Sequence, residues 1–183
     1  MKKNVIRAVV ATGIGTALFI VLSYVSIPVG FIPNTAIQPR IALLAFFSAI
    51  FGPVVGGAVG ILGHALADSF QYGSIWWSWV LPEIVLGVLI GAFASKYKIE
   101  EGGFGLKPII LFNAAQVAAN TLAWLLLAPV LDILIYAEPS NKVFTQGATA
   151  FVLNIIAAGV IGTLLAAAYS RVKSKSSSLS KEI

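Results

Sequence analysis

The sequence predicts an all-α integral membrane protein, a compact bundle of six transmembrane helices with both termini cytoplasmic. Four observations carry this expectation. Mean hydropathy is +0.94. Only 10 % of residues are charged, where soluble domains carry roughly 25 %. The basic residues gather in a few places rather than spreading over a surface. Apolar runs near the roughly 17–25 residues that a spanning helix needs fill most of the chain. The expected organisation is therefore one membrane domain over 1–170 and a basic, disordered cytoplasmic tail over 171–183.

Apolar runs and their breakers place six spans at about 5–25, 37–51, 54–70, 79–97, 108–128 and 148–170. The first follows Met1-Lys2-Lys3 but is too long for a signal-peptide core and lacks an A-x-A cleavage site, so it is read as a retained helix. The second and third form an almost unbroken run from Ile41 to Gly63. Gly52-Pro53 divides them, because proline removes a helical N–H and disfavours helix in the residue before it. Charge placement supports that division. With six spans and the N-terminus inside, Lys2, Lys3, Arg7, Lys96, Lys98, Lys107, Arg171, Lys173, Lys175 and Lys181 are all cytoplasmic, ten of the twelve basic residues. Five spans would put the 96–107 loop on the opposite side. The second and third spans are then only about 22–26 Å long at 1.5 Å per residue, and must be buried or sit in thinned bilayer. The outer connections are 26–36, 71–78 and 129–147. The first lies in "SIPVGFIPNTAIQP", whose three prolines make a stiff, non-helical segment that serves as a lid or as a plain connector.

Polar side chains are costly in a bilayer and face a bundle interior or a cavity, so their positions are informative. His64 and Asp68 stand one helical turn apart near the outer end of the third span. Trp79 and Glu83 stand at the outer end of the fourth, and Arg40 begins the second. On the fifth span Asn113, Gln116, Asn120 and Trp124 share a face at 100° per residue, and Asn154 lies about a turn and a half into the sixth. Their similar outer depth predicts a pocket open to the exterior, with amides, carboxylates, a guanidinium and indole faces suited to a small, planar, polar heterocycle. Structural readings stand beside this one. His64 and Asp68 could simply fix helix packing, Arg40 and Glu83 could be a cross-helix ion pair, Asn113 could be helix glue, and Trp76, Trp77 and Trp79 could form an interfacial belt.

Small residues make a second pattern. Gly56, Gly60, Gly63 and Ala67 line one face of the third span, and Ala150, Asn154, Ala158, Gly162 and Ala166 recur at intervals of four in the sixth. On the first span Ala11 pairs with Gly15 and Gly13 with Ala17, so one face can pack inside while the other docks a partner.

Several classes are excluded. The +5 net charge follows membrane topology and not nucleic-acid binding. Without cysteine there are no disulfides or thiolate metal sites, and one histidine excludes multi-histidine zinc centres. No G-x-x-x-x-G-K-[ST], H-E-x-x-H or G-x-S-x-G motif occurs, so the chain neither hydrolyses ATP by a P-loop nor carries a familiar hydrolase site. No cofactor is expected.

"FGPVVGGAVGILGHALADS" at 51–69 and "IPNTAIQPR" at 32–40 resemble the substrate-specificity (S) components of energy-coupling-factor (ECF) vitamin transporters, in the small subgroup linked to riboflavin, pyridoxine or hydroxymethylpyrimidine. The resemblance covers nearly the whole chain. It implies an S component in a bacterial plasma membrane that captures a vitamin from outside and associates with a membrane coupling protein and two cytoplasmic ATPases, which use the ATP. It also implies that the S component topples in the bilayer to release its ligand inside. Family pockets draw on the first outer loop and the fourth to sixth helices, matching Asn34, Glu83, Asn120, Trp124 and Asn154. Family docking uses an alanine-xxx-alanine pattern on the first helix, for which Ala11, Gly13, Gly15 and Ala17 are the nearest matches. A stand-alone proton-coupled carrier using His64, Asp68 and Glu83, and a protein whose polar residues only knit helices, are the competing functions.

Overall fold

A computed structural model describes residues 2–25, 27–28 and 36–179, with the side chains of 4–25 and 37–175. Helix α1 (Lys2–Ser23) is followed by two-residue strands β1 (Ile27–Pro28) and β2 (Ala36–Ile37), which pair antiparallel with Ile27 opposite Ile37. Then come α2 (Pro39–Phe51), α3 (Pro53–Tyr72), α4 (Trp77–Gly91) and the short α5 (Ala94–Tyr97). Helix α6 (Leu106–Asn120) runs through a π-helical segment, Thr121–Leu127, into α7 (Ala128–Tyr136), and α8 (Ser140–Ala157) runs through a second, Ala158–Gly162, into α9 (Thr163–Leu179). Among the described residues four continuous helices are long and apolar enough to cross a membrane: Asn4–Ser23, Pro53–Tyr72, Leu106–Tyr136 and Ser140–Lys175. Helices α2 and α4 are apolar but shorter.

The expected break between the second and third spans is present. Gly52 has φ +86°, a conformation that side-chain-bearing residues rarely adopt, and Pro53 starts α3 at a position where its missing N–H costs nothing. Burial explains the shortness of α2. Its 13 residues span about 20 Å, and most of them, from Arg40 to Ile50, are buried inside the bundle rather than facing lipid. Helix α1 is the opposite case. Ala11, Thr16, Phe19 and Ser23 face the core, while Val5, Ile6, Val9, Val10, Ile14, Leu18 and Val21 are exposed.

Helices α3 and α4 meet backbone to backbone. A side chain at Gly56 would collide with Ser48 and the Gly87 backbone, one at Gly60 would lie 2.6 Å from the Glu83 carbonyl, and one at Gly91 would strike Gly52 and Pro53. The small-residue stripe thus sets an interhelical approach that only glycine permits.

Two expectations require correction. Residues 129–147 are not a connection, because α7 continues to Tyr136 and α8 begins at Ser140. Pro129 falls in the first turn of α7, directly after the wider π turn, where the clash of its ring with a preceding carbonyl is relieved. The tail is not irregular from residue 171, since helix continues to Leu179, with residues 171–175 exposed. The proposed lid, and Asn34 within it, lies largely outside the described residues.

Candidate substrate-binding site

The site begins where α1 and α3 finish and α2 and α4 start, the upper end of the bundle. Arg40 in the first turn of α2, His64 and Asp68 on α3, and Glu83 on α4 are all buried. The glycine contact between α3 and α4 brings them together, since His64 lies one turn beyond Gly60, which packs on Glu83 itself.

Arg40 is held from several directions. Its Nε donates to Gln38 Oε1 at 2.6 Å, its Nη1 to Ser23 Oγ at 3.3 Å, and its guanidinium lies 4.9 Å above the Phe19 ring. Its Nη2 is 3.2 Å from His64 Nε2 and 3.8 Å from Glu83 Oε1. His64 Nε2 thus lies between the Arg40 guanidinium and Asp68 Oδ1, and only an unprotonated Nε2 could accept from Arg40, because a guanidinium has no acceptor. His64 Nδ1 is 3.0 Å from Glu83 Oε1, yet off the direction that a hydrogen bond needs. Asp68 Oδ1 lies 3.4 Å from His64 Nε2, and Asp68 Oδ2 accepts the Trp76 backbone N–H at 3.1 Å. Among the described residues no group of His, Cys, Asp or Glu is arranged to hold a metal ion. The cluster is an ion-pair network.

An aromatic and amide row continues from it. Trp79 stands one turn before Glu83, and its ring centre is 5.5 Å from that of Trp124, tilted by 36°. Trp124 Nε1 donates to Asn120 Oδ1 at 3.0 Å, Asn120 Nδ2 to Gln116 Oε1 at 3.1 Å, and Gln116 Nε2 to the Ile155 carbonyl on α8 at 3.3 Å. Asn154 is buried on the same helix. Asn113 instead donates to Thr163 Oγ1 at 3.0 Å, a bond between helices. Since α8 starts at Ser140, Asn154 lies about 21 Å along its axis at 1.5 Å per residue rather than a turn and a half in. Gln116 and Asn120 lie near the middle of the helix that continues through α7. The polar residues therefore descend from the upper end toward mid-bundle and do not share one depth.

Asp132 on α7 escaped the sequence reading because it fell in the presumed connection. It is 2 % exposed and accepts from Trp76 Nε1 and Trp79 Nε1, each at 2.7 Å, and from the Ser78 hydroxyl. Trp76 also stacks on Tyr136 with centroids 4.2 Å apart, and the Tyr136 hydroxyl accepts the Trp77 backbone N–H. A carboxylate within the apolar run "PVLDILIY" was the available signal. On α1, Ala11 and Gly15 are buried, a side chain at Gly15 meeting Val59 and Phe47, whereas Gly13 and Ala17 are exposed and a side chain at Gly13 would meet nothing within 4 Å.

An apolar helical bundle with a buried charged cluster leading into a row of indoles and amides is the architecture of a membrane protein. The chain belongs to the ECF-type riboflavin transporter S component family, whose model matches residues 3–171. The family is one of transporter subunits, not enzymes. The chain is 51 % identical over 177 residues to a UPF0397 protein of Exiguobacterium sp., covering 96 % of each chain. It is 49 % identical over 183 residues to a UPF0397 protein of Lactococcus lactis subsp. cremoris, covering 100 % of both. A UPF0397 protein of Staphylococcus aureus is 50 % identical over 185 residues, again with 100 % of both chains covered. No solved structure matches the chain.

Proposed function

We propose that this chain is the substrate-binding subunit of an ATP-driven ECF importer in a bacterial plasma membrane. It crosses the bilayer six times with both termini cytoplasmic, captures a small water-soluble vitamin or precursor of the hydroxymethylpyrimidine, pyridoxine or riboflavin type at its upper, outward end, and topples against a membrane coupling protein to release it. Two cytoplasmic ATPases supply the energy, and the subunit itself carries no cofactor. Residues 1–170 form the membrane domain and 171–183 a basic extension at the cytoplasmic face.

The observation that carries this reading is the continuity of the buried Arg40–His64–Asp68–Glu83 cluster with Trp79, Trp124, Asn120 and Gln116. Faces for a flat ring and polar groups for its edge lie side by side, as a heterocycle site requires. His64 between two buried carboxylates also favours a second reading, a proton-coupled carrier working alone.

Native mass spectrometry of the detergent-purified chain from a rich-medium host tests the first reading, with a retained vitamin-sized molecule expected. An empty protein that fails to bind riboflavin, pyridoxine and hydroxymethylpyrimidine on titration overturns it. Uptake by the isolated chain in liposomes, driven by a pH gradient, would establish the carrier instead.

A further inference from the structure

At the end of the bundle opposite the candidate site, α1 begins beside the end of α2. Asn4, Arg7 and Ala8 of α1 and Ile50 and Phe51 of α2 line a cavity of about 240 Å³ there, several times the roughly 30 Å³ share of one water. Its apolar lining is buried Ile50 with half-buried Ala8 and Phe51, and its polar lining is Asn4 and Arg7, both exposed. The guanidinium is fixed in place by the fold. Its Cζ lies 5.1 Å from the centre of the Phe51 ring, and its Nη2 donates to Glu100 Oε1 in the loop after α5. A guanidinium carries five N–H donors. Among the described residues those on Nε and Nη1 have no acceptor, and the Asn4 amide has no partner either.

The surroundings favour an anion. The fold brings Lys96, Lys98, Lys107, Arg171 and Lys173 to this same end, from α5, the start of α6 and the later turns of α9, against Glu100 and Glu101. They also favour an anion attached to apolar chains. Val5, Ile6, Val9 and Val10 flank Asn4 and Arg7 along α1 and are exposed, whereas a free phosphate would use the donors and leave this face uncovered. Position disfavours a protein partner. Asn4 lies about 180° around α1 from Gly13 at 100° per residue, away from the small-residue strip that suits a helix–helix contact.

We infer that this cavity is a binding site for one anionic phospholipid, whose phosphodiester is held by the Arg7 guanidinium and the Asn4 amide while its acyl chains follow the exposed face of α1. Arginine presents paired N–H groups that match phosphate oxygens, and the neighbouring basic residues add their attraction for an anionic headgroup. Glu100 is then the headgroup's competitor. It already takes a donor from Nη2, so carboxylate and phosphate divide one guanidinium between them, and Glu100 sets the affinity of the site. The site stands at the far end of the bundle from the Arg40–His64–Asp68–Glu83 cluster and does not depend on which molecule that cluster takes.

The test is native mass spectrometry of the delipidated, detergent-solubilised full chain titrated with phosphatidylglycerol, phosphatidylcholine or inorganic phosphate, with Arg7→Gln and Glu100→Gln variants alongside. The wild type is expected to retain one phosphatidylglycerol, preferred over phosphatidylcholine by about tenfold, and no phosphate. Arg7→Gln should weaken phosphatidylglycerol binding by about tenfold, and Glu100→Gln, which frees the guanidinium, should tighten it by about threefold or more. The opposite signs decide the matter, because a pair that only braces the fold would be lost equally in both variants. A fall in both, equal retention of the two lipids, or phosphate retained in place of lipid overturns the inference. Should Arg7→Gln fail to give a cooperative melt, Asn4→Leu, at an exposed position, is expected to lose about threefold, and unchanged affinity there overturns the inference as well. Unchanged lipid binding in Arg7→Gln with reduced co-purification of the proposed coupling protein would assign the cavity to a protein partner and overturn the lipid site.

Discussion

Asp132 joins three donors from the start of α4 to α7, and through Trp79 it sets the orientation of a ring that flanks Glu83. Removing its carboxylate leaves the Ser78 hydroxyl buried and the Trp79 indole half-buried without their acceptor. Trp76, 41 % exposed, can turn to water and loses less. Asp132→Ala is therefore expected to destabilise the protein by about 2–4 kcal/mol, from an unsatisfied-donor cost of about 1–3 kcal/mol each. A lower melting temperature and red-shifted tryptophan emission in detergent are the readouts, and an unchanged emission maximum would count against Asp132 as the anchor of both indoles. Arg40, His64, Asp68 and Glu83 were legible in the sequence for a physical reason: ionisable groups beside apolar runs need partners, and these are one another's. Asp132 was hidden because Pro129 and Pro139 bracket it with loop signals. The approach of Arg40 Nη2 to His64 Nε2 was not legible at all, because it depends on side-chain directions that spacing does not encode.

The helix ends divide in the same way between what local chemistry encodes and what packing decides. Gly52-Pro53 ends α2, and Gly73 ends α3 in the left-handed conformation, both of them signals that a single sequence carries. The ends of the last two long helices depend on π-helical turns, which admit Pro129 and carry the helix on to Tyr136. Nothing in residue type announces such a turn. The glycine stripe on α3 was visible, but its partner, Gly87 on α4, is identified only by the fold. A side chain at Gly87 would overlap the Gly56 backbone, where no rotamer can relieve it. Gly87→Leu should thus force α3 and α4 apart at a cost of about 3 kcal/mol or more, the upper part of the overpacking range. It should also weaken ligand binding by separating His64 from Glu83. The check is a thermal melt beside Gly13→Ala, whose added methyl meets nothing; equal melting temperatures for the two variants would show that the α3–α4 contact is looser than described.

Helix α1 relates the bundle to its surroundings. It buries Ala11, Gly15 and Phe19 against the core and leaves a broad apolar face outside, which a lipid-facing helix requires, yet Gly13 and Ala17 interrupt that face with a smooth strip. Lipid chains have no need of such a strip, because they conform to any apolar relief, whereas a second helix gains close van der Waals contact from it. Of the two small-residue pairs on this helix, only Gly13 with Ala17 is free to meet a partner. Gly13→Trp separates the roles. Gly13 is exposed and an added Cβ meets nothing within 4 Å, so folding and ligand affinity should hold within about twofold, while a bulky ring at the centre of a helix–helix contact should reduce co-purification with the coupling protein and ATPases of the proposed importer by about tenfold or more. Uptake in cells should fall with it. Retained association in the Gly13→Trp variant would move docking to another exposed face, and lost ligand binding would mean that the two faces of α1 are coupled through Phe19, the ring on which Arg40 rests.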